Sequence, residues 1–383
     1  MPEFTAAPAG AHPIHSARLV EPRTVTLLVP GDLALRTGGY GYDRAIVAGL
    51  RELGWRVDVV LLDGSFPRPT AAARAHAVQA LAALPDGALV LADGLAFGAM
   101  AVEAEREAAR LAFVALVHHP LADETGLDAE TARAFAASER RALACTRGVV
   151  VTSHATARRL STFGVDARRV AVVMPGTASA PAAHGTRSTG GADSDVPVEL
   201  LCVATLVPRK GHDVLFTALA RLRHLSWHLT CAGSLTLHPP TAAALQEQLR
   251  ALQIADRVTL VGDLDAAALA AAYDRADIFV LATRHEGYGM AVAEAVAHGL
   301  PVVSTATGAI PELVDGTGGA IVPMDDPEAL AEALAPLVGD DGARARAMAG
   351  ARARRDTLPR WAESTQAMAH ALTRFAADGS LQR

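Results

Sequence analysis

The sequence predicts an α/β fold of two halves, each a parallel sheet wrapped in helices, with a cleft between them. Three observations predict it. Short aliphatic runs alternate with helix-period segments along most of the chain, the pattern of parallel strands buried on both faces. The alternation breaks at 178–197, where ASAPAAHGTRSTGGADSDVP is rich in Ala, Gly, Ser and Pro, and then restarts. The chain has 383 residues, 51 % of them hydrophobic, enough for two cores. Two Rossmann-like halves present their strand ends to a common cleft, where such folds bind ligands.

The elements follow in order. Residues 1–22 carry Pro, Ala, Gly and His without periodicity and read as a flexible tail. The first half, 23–180, opens on an apolar strand at 24–30. A glycine-rich loop, Thr37-Gly38-Gly39-Tyr40-Gly41, leads into a helix that runs to Leu53-Gly54. A strand at 56–62, a helix at 70–83 and strands at 88–92, 111–117 and 148–152 complete this half. The stretch 181–197 reads as a linker or a mobile loop. The second half, 198–357, repeats the pattern with strands at 199–204, 228–232, 258–261, 278–281 and 301–304. Its helices fall at 211–222, 240–252, 266–276, 290–298 and 327–338. The last helix, about 358–376 within a terminal segment 358–383, has no strand after it.

The bulk numbers exclude some classes. A net charge of −6 lacks the basic face of a nucleic-acid binder. Arg140/Arg141, Arg158/Arg159 and Arg168/Arg169 are clustered, which fits solvated faces or a patch for an anionic lipid or acceptor. Cys145, Cys202 and Cys231 show no metal spacing, and the last two lie in strand-like runs as small hydrophobes. No signal-peptide pattern and no uncharged run of membrane-spanning length are present, so a cytoplasmic chain without stable membrane insertion is expected.

The densest chemistry lies at Arg284-His285-Glu286-Gly287-Tyr288-Gly289-Met290-Ala291-Val292-Ala293-Glu294. Here a strand, a glycine-flanked turn and a helix start follow one another, which supplies free backbone amides for a phosphate. Carboxylates do not bind phosphate, so Glu286 and Glu294 are expected to face sugar hydroxyls, and the combination fits a nucleotide sugar. The alternatives are a surface glutamate capping the helix at Glu286 and an ordinary helical glutamate at Glu294. Lys210 follows a strand and a Pro-Arg turn, where an ammonium can neutralise a diphosphate; a solvated turn lysine is the alternative. Gly233 closes a strand-end turn, and Asp263 stands at a strand end as a nucleotide contact or a helix cap. Gly38-Gly39-Tyr40-Gly41 is not a dinucleotide fingerprint, because Arg44 occupies the third glycine position. It is a plain tight turn, or a loop meeting the diphosphate or acceptor, with Arg36 and Tyr40 as acceptor contacts. His118 and His119 end an apolar strand and point to opposite faces, a poor metal pair.

On three segments the chain resembles the retaining glycosyltransferases of family 4, which have the GT-B fold. These are Val203-Ala204-Thr205-Leu206-Val207-Pro208-Arg209-Lys210-Gly211-His212, the stretch from Glu286 to Glu294, and His298-Gly299-Leu300-Pro301-Val302-Val303-Ser304 continuing to Gly308-Ala309-Ile310-Pro311-Glu312. The first half matches more loosely, through Gly38-Gly39 and Val117-His118-His119-Pro120. The resemblance implies that Glu286 approaches the donor sugar and Glu294 holds the ribose diol. It implies that the amides of Gly287, Tyr288, Gly289, Met290 and Ala291 face the hexose and diphosphate. A histidine near 118 lies by the donor's sugar; His118 is slightly favoured over His119. It also implies that the last helix crosses back to the first half. The chain departs from the family at Thr205, where an arginine is common; either Arg209 substitutes from the turn or the diphosphate is clamped by fewer cations.

The resulting expectation is a retaining, metal-independent hexosyltransferase. Its donor is a nucleoside diphosphate sugar, UDP-sugar first and GDP-sugar second, with no other cofactor. Its acceptor is a hydroxyl of a small molecule or lipid-linked precursor. Glu286, Lys210 and His118 form the catalytic set. The alternatives are a GT-B nucleotide-sugar epimerase, a phosphorylase and a non-catalytic nucleotide-sugar-binding protein.

Overall fold

The computed structural model describes residues 23–35, 37–186 and 196–377. The expected tail 1–22, Arg36 and residues 187–195 of the linker lie outside the described residues.

The first sheet contains β1 (Thr24–Pro30), β2 (Arg56–Leu62), β3 (Leu89–Asp93), β4 (Ala112–Val117), β5 (Gly148–Val151) and β6 (Val170–Val172) in the spatial order β2-β1-β3-β4-β5-β6. The second contains β7 (Val198–Val203), β8 (Trp227–Ala232), β9 (Val258–Gly262), β10 (Ile278–Leu281), β11 (Val302–Thr305) and β12 (Ala320–Val322), ordered β12-β11-β10-β7-β8-β9. Every described pairing is parallel. β4, β5, β10 and β11 are buried along their whole length, which is why they read as continuous apolar runs. The strand order reverses between β1 and β3 in one sheet and between β7 and β10 in the other. Loops diverge at such points and leave a crevice at the strand ends.

β6 and β12 were not anticipated, since three residues give no period to read. The helices Ala129–Ala144 and Asp341–Arg354 were also missed; their alanine- and arginine-rich sequences show no broad apolar stripe.

The expected glycine loop at 37–41 is a correction. Gly38–Glu52 is a helix whose first turn contains all three glycines. Thr37 caps it, its hydroxyl accepting from the Tyr40 amide at 3.4 Å. The first-turn amides lack intrahelical partners in any helix, so a cap suffices to start one here despite the weak propensity. The described part of the linker is held by hydrogen bonds. Ala183 N–H donates to the His298 carbonyl at 2.7 Å, and the Thr186 hydroxyl donates to Asp277 at 2.7 Å. Residues 183–186 are therefore pinned to the second half.

The helix Trp361–Ala377 packs against the helix Gly38–Glu52, and Met368, Leu372 and Phe375 enter the core beside Val25, Leu27 and Ile46. Arg147 donates to the Ala376 carbonyl at 3.0 Å and Ser364 to the Met174 carbonyl at 2.7 Å. Among the described residues no helix is long and apolar enough to cross a membrane.

Candidate active site

The loops after β7 and β10 meet at the reversal point of the second sheet. Arg284 N–H donates to the Arg209 carbonyl at 2.8 Å, and Arg209 Nη1 donates to the His285 carbonyl at 2.8 Å. The Arg284 guanidinium grips Asp213 with two contacts, 3.0 and 2.7 Å, and reaches Asp325 at 2.7 Å. Forked pairing of this kind fixes geometry as well as charge. Between the stitched loops, the Lys210 ammonium is paired with the Glu286 carboxylate. Glu286 retains 12 % side-chain exposure. Burial works against its charge, but Lys210 and then Arg209 outweigh burial and hold its pKa below the usual carboxylate range. The helix-cap alternative for Glu286 is excluded, because Gly289 occupies the N-cap and no side chain caps that helix.

Gly289 has φ +98°, a conformation closed to most side chains, and it starts the helix Met290–Ala297. The uncapped first turn leaves its amides for a ligand. The Tyr288 ring is in the core of the second half, so that residue offers its backbone to the turn. Glu294 lies one turn along the helix, and the Tyr273 hydroxyl donates to its Oε2 at 3.0 Å. Burial raises the Glu294 pKa, partly offset by that hydrogen bond. Tyr273 is itself stacked on His298, with ring centroids 4.8 Å apart. Tyr273→Phe is expected to weaken nucleotide binding by about 10–100-fold, the worth of one hydrogen bond to a charged group. Isothermal titration with UDP or GDP reads this, and an unchanged Kd would remove Tyr273 from the site.

The first half contributes from its own reversal point. Asp93 ends β3, with Oδ1 accepting from Leu95 N–H at 2.7 Å. Asp43 is buried on the helix Gly38–Glu52. His118 follows β4, and its Nε2 lies 3.3 Å from Asp43 Oδ1 and 3.8 Å from Asp93 Oδ2. Its ring is edge-on to Tyr42, with centroids 5.4 Å apart. The two halves touch here. The His118 backbone carbonyl lies against Gly287, and the Met290 side chain lies by Gly38 and Gly41. The sulfur and methyl of Met290 would be 3.9 and 3.8 Å from a Cβ at those two positions, so the glycines make a flat seat for the second half.

His119 turns elsewhere. Its Nε2 is 3.3 Å from Glu124, and its ring is 4.9 Å from that of His285. Arg209 also contacts Glu124, at 3.3 Å. His119 and Arg209 hold the Glu124 pKa down to about 2 against burial. Burial first, then His119 and Arg209, push His285 down to about 4, so its ring is neutral at pH 7. Arg209 thus spends its charge on a carboxylate of the opposite half.

Other expected residues fall differently. Tyr40 gives its hydroxyl to the Pro30 carbonyl at 2.6 Å, and Arg44 donates to the Leu33 and Leu35 carbonyls. Gly233 packs against the Ala204–Thr205 backbone, which keeps Thr205 beside the Lys210 loop as a neutral group. Asp263 is exposed at the end of edge strand β9, and its expected cap role is taken by Asp265, which accepts from Ala268 N–H at 2.8 Å. The arginine pairs are consumed by neighbours: Arg141 by Glu105, Arg158 by Glu312, Arg159 by Asp123, Arg168 by Asp166, and Arg169 by the Leu143 and Thr146 carbonyls. Arg140 lies over the Phe163 ring. These pairings leave little for an anionic-lipid patch.

Cys202 and Cys231 are register partners on β7 and β8, and with His212 they bring their donor atoms within 4.8 Å. Sequence spacing could not show this. Three buried ligands are one short of a structural zinc set, so the group is read as core packing.

Asp43, Asp93, Glu124, Tyr273 and His285 were not singled out from sequence. Asp93 carried the same strand-end signal as Asp263, and His285 stood inside the motif stretch.

Comparison with known proteins agrees with this architecture. Residues 197–340 match the family described as glycosyl transferases group 1. D-inositol 3-phosphate glycosyltransferase of Xylanimonas cellulosilytica is 31 % identical over 60 % of this chain and 57 % of its own length. The GDP-mannose-dependent alpha-(1-6)-phosphatidylinositol monomannoside mannosyltransferase of Mycolicibacterium smegmatis is 35 % identical over 44 % of each chain. The chain thus spans about half the length of the curated relatives it matches. Among solved structures, sucrose-phosphate synthase of Thermosynechococcus elongatus superposes with a TM-score of 0.78 at 20 % identity, over 93 % of this chain and 99 % of that one. Anabaena HepE in complex with UDP-glucose gives 0.70 at 18 % identity, over 92 % and 99 %. The chain has the GT-B fold, and its residues 197–340 match the glycosyl transferases group 1 family.

Proposed function

We propose that this protein is a glycosyltransferase that moves a hexose from a nucleoside diphosphate sugar to an acceptor hydroxyl, with retention and without a metal. The observation that carries the reading is the convergence of Lys210, Glu286, the uncapped turn Gly287–Met290 and Glu294 at one strand-order reversal. UDP-sugar is the first donor and GDP-sugar the second; a relative named for GDP-mannose supports the second, and a fold neighbour in complex with UDP-glucose supports the first. The acceptor is a small molecule or lipid-linked precursor, and the protein works in the cytoplasm.

In this mechanism the turn amides and Lys210 receive the diphosphate, displacing the ammonium from Glu286. Glu286 is then free to face the sugar, while Glu294, held by Tyr273, accepts from the ribose hydroxyls. The bond from the anomeric carbon to the phosphate oxygen breaks as the acceptor oxygen attacks the same face. The acceptor's proton passes to the departing phosphate. Asp43, Asp93 and His118 close the cleft from the first half, where water would hydrolyse the donor.

Thermal-shift measurements against a panel of nucleotide sugars test the reading, since a ligand at about 100 times its Kd adds about 2.7 kcal/mol to stability. A shift by one class, followed by nucleotide release only when an acceptor is present, supports transfer. Epimerised product from donor alone supports an epimerase. Thr205 in place of a cation favours a second reading, a non-catalytic sensor; tight donor binding with no turnover in any acceptor mixture would select it.

A further inference from the structure

Two buried carboxylates face one imidazole at the cleft wall, an arrangement the transfer mechanism does not by itself require. Asp43 is 1 % exposed and Asp93 3 %. Asp43 Oδ1 lies 3.3 Å from His118 Nε2, but the alignment falls short of a hydrogen bond. Both Asp43 oxygens and His118 Nε2 are buried without a hydrogen-bond partner among the described residues. Asp43, Asp93 and His118 come from a helix, β3 and the loop after β4, so the fold assembles them from three separate segments. His118 retains 22 % side-chain exposure although its Nε2 is enclosed, which leaves the other ring nitrogen as the one a ligand can meet.

We propose that Asp43 and Asp93 are positioning residues that hold His118 as an imidazolium, with Nε2–H turned to the carboxylates and Nδ1–H offered to an oxygen of the donor at the Gly287–Met290 turn. The placement supports this. The His118 carbonyl abuts Gly287, and its ring lies beside Gly39, under the seat that receives Met290. Of the other cations at the cleft, Lys210 passes from Glu286 to the diphosphate in the proposed reaction, and Arg209 is held by Glu124. A charged His118 supplies the positive group that Thr205 does not.

The surroundings agree on sign. Two carboxylates this close cannot both be ionised without a nearby cation. Burial opposes a charge on His118, but Asp43 and then Asp93 outweigh it and raise its pKa. Burial and the Asp43 charge push Asp93 up to about 7. Tyr42 meets the ring edge-on, and Tyr40 on the same helix lies in the field of the same two carboxylates; the pKa of each is raised, so both are neutral. The Thr152 and Thr156 hydroxyls donate to the His118 backbone carbonyl rather than to its ring. Glu286, beside the turn in the second half, is neutralised by Lys210. The protonated imidazole is the competent form, so function is present below the His118 pKa and lost as pH rises through it.

The test is an NMR titration of the His118 ring, assigned by the signal missing in His118→Gln, run on the wild type, Asp43→Asn, Asp93→Asn and Asp43→Glu. The wild type is expected to titrate above the ordinary value of about 6.5. Asp43→Asn should lower it by about one unit or more, Asp93→Asn by less, and Asp43→Glu should keep most of it. The alkaline limb of kcat should move to lower pH by the same interval. A wild-type His118 titrating at or below the ordinary value, or one unmoved by Asp43→Asn in a folded variant, overturns the proposal. So does activity abolished by EDTA and restored by a divalent cation, which would make the three side chains a metal site. The kinetic arm rests on the glycosyl-transfer reading and the NMR arm does not. If that reading fails, the titration shifts appear as described while no donor is turned over.

Discussion

Lys210→Ala is expected to lower turnover by about 10²–10³-fold, the usual loss when one preorganised group facing developing charge is removed. Two effects combine. The diphosphate loses its nearest committed cation, and Glu286 is left as a buried carboxylate without its partner. The second effect also costs stability, roughly 3–5 kcal/mol for a pair this enclosed. Because Lys210 depresses the Glu286 pKa, the pair's contribution exists above the unfolded carboxylate pKa and disappears as pH falls through the folded one. Stability lost to Lys210→Ala should therefore shrink in acid. The double variant Lys210→Met/Glu286→Gln separates the effects: urea denaturation should recover most of the stability, while kcat remains low. Thr205→Arg, beside the same loop, should be tolerated. Wild-type turnover in Lys210→Ala would remove Lys210 from the chemistry.

Gly287→Ala should cost about 10²-fold in kcat, the scale set by misplacing reacting groups by about 1 Å. A methyl group at 287 would run into the His118 backbone carbonyl, which belongs to the opposite half and cannot rotate away. Either the turn deforms or the halves separate. Both outcomes spoil the relation between the donor turn and the His118 cluster. Gly39→Ala is the control, because its added methyl would meet the His118 ring at 3.6 Å, an ordinary contact. Small-angle scattering should show an expanded particle for Gly287→Ala if the halves part. Equal kinetics for the two variants would mean that the 118–287 contact does not gate the site.

The sequence made the second half of the site legible because its chemistry is local. Glu286, the glycine turn and Glu294 follow one another in one strand–turn–helix unit, and periodicity locates each part. Lys210 was readable for the same reason, sitting one turn after β7. What escaped was long-range. Asp43, Asp93 and His118 meet only because β1, β3 and β4 lie side by side, and no spacing rule relates positions 43, 93 and 118. Glu124 acquires its role from Arg209 across the cleft, together with His119 beside it. Asp263 shows the opposite error: its strand-end position was correct, but β9 is an edge strand that leaves it in solvent, and Asp265 two residues later takes the cap. The glycines at 38–41 suggested a loop because propensity was weighed without the Thr37 cap and without Met290 on the other side of the cleft.

The helix Trp361–Ala377 has a consequence for biogenesis. It supplies Met368, Leu372 and Phe375 to the same core as Val25, Leu27 and Ile46, which the ribosome releases more than three hundred positions earlier. Nascent domains generally fold as units from the N-terminal end during synthesis. Here one face of the earlier unit must wait, uncovered, until the last helix emerges. A chain stalled or cleaved before that helix would present a sticky aliphatic surface to chaperones and proteases, although every cleft residue named above had already been made.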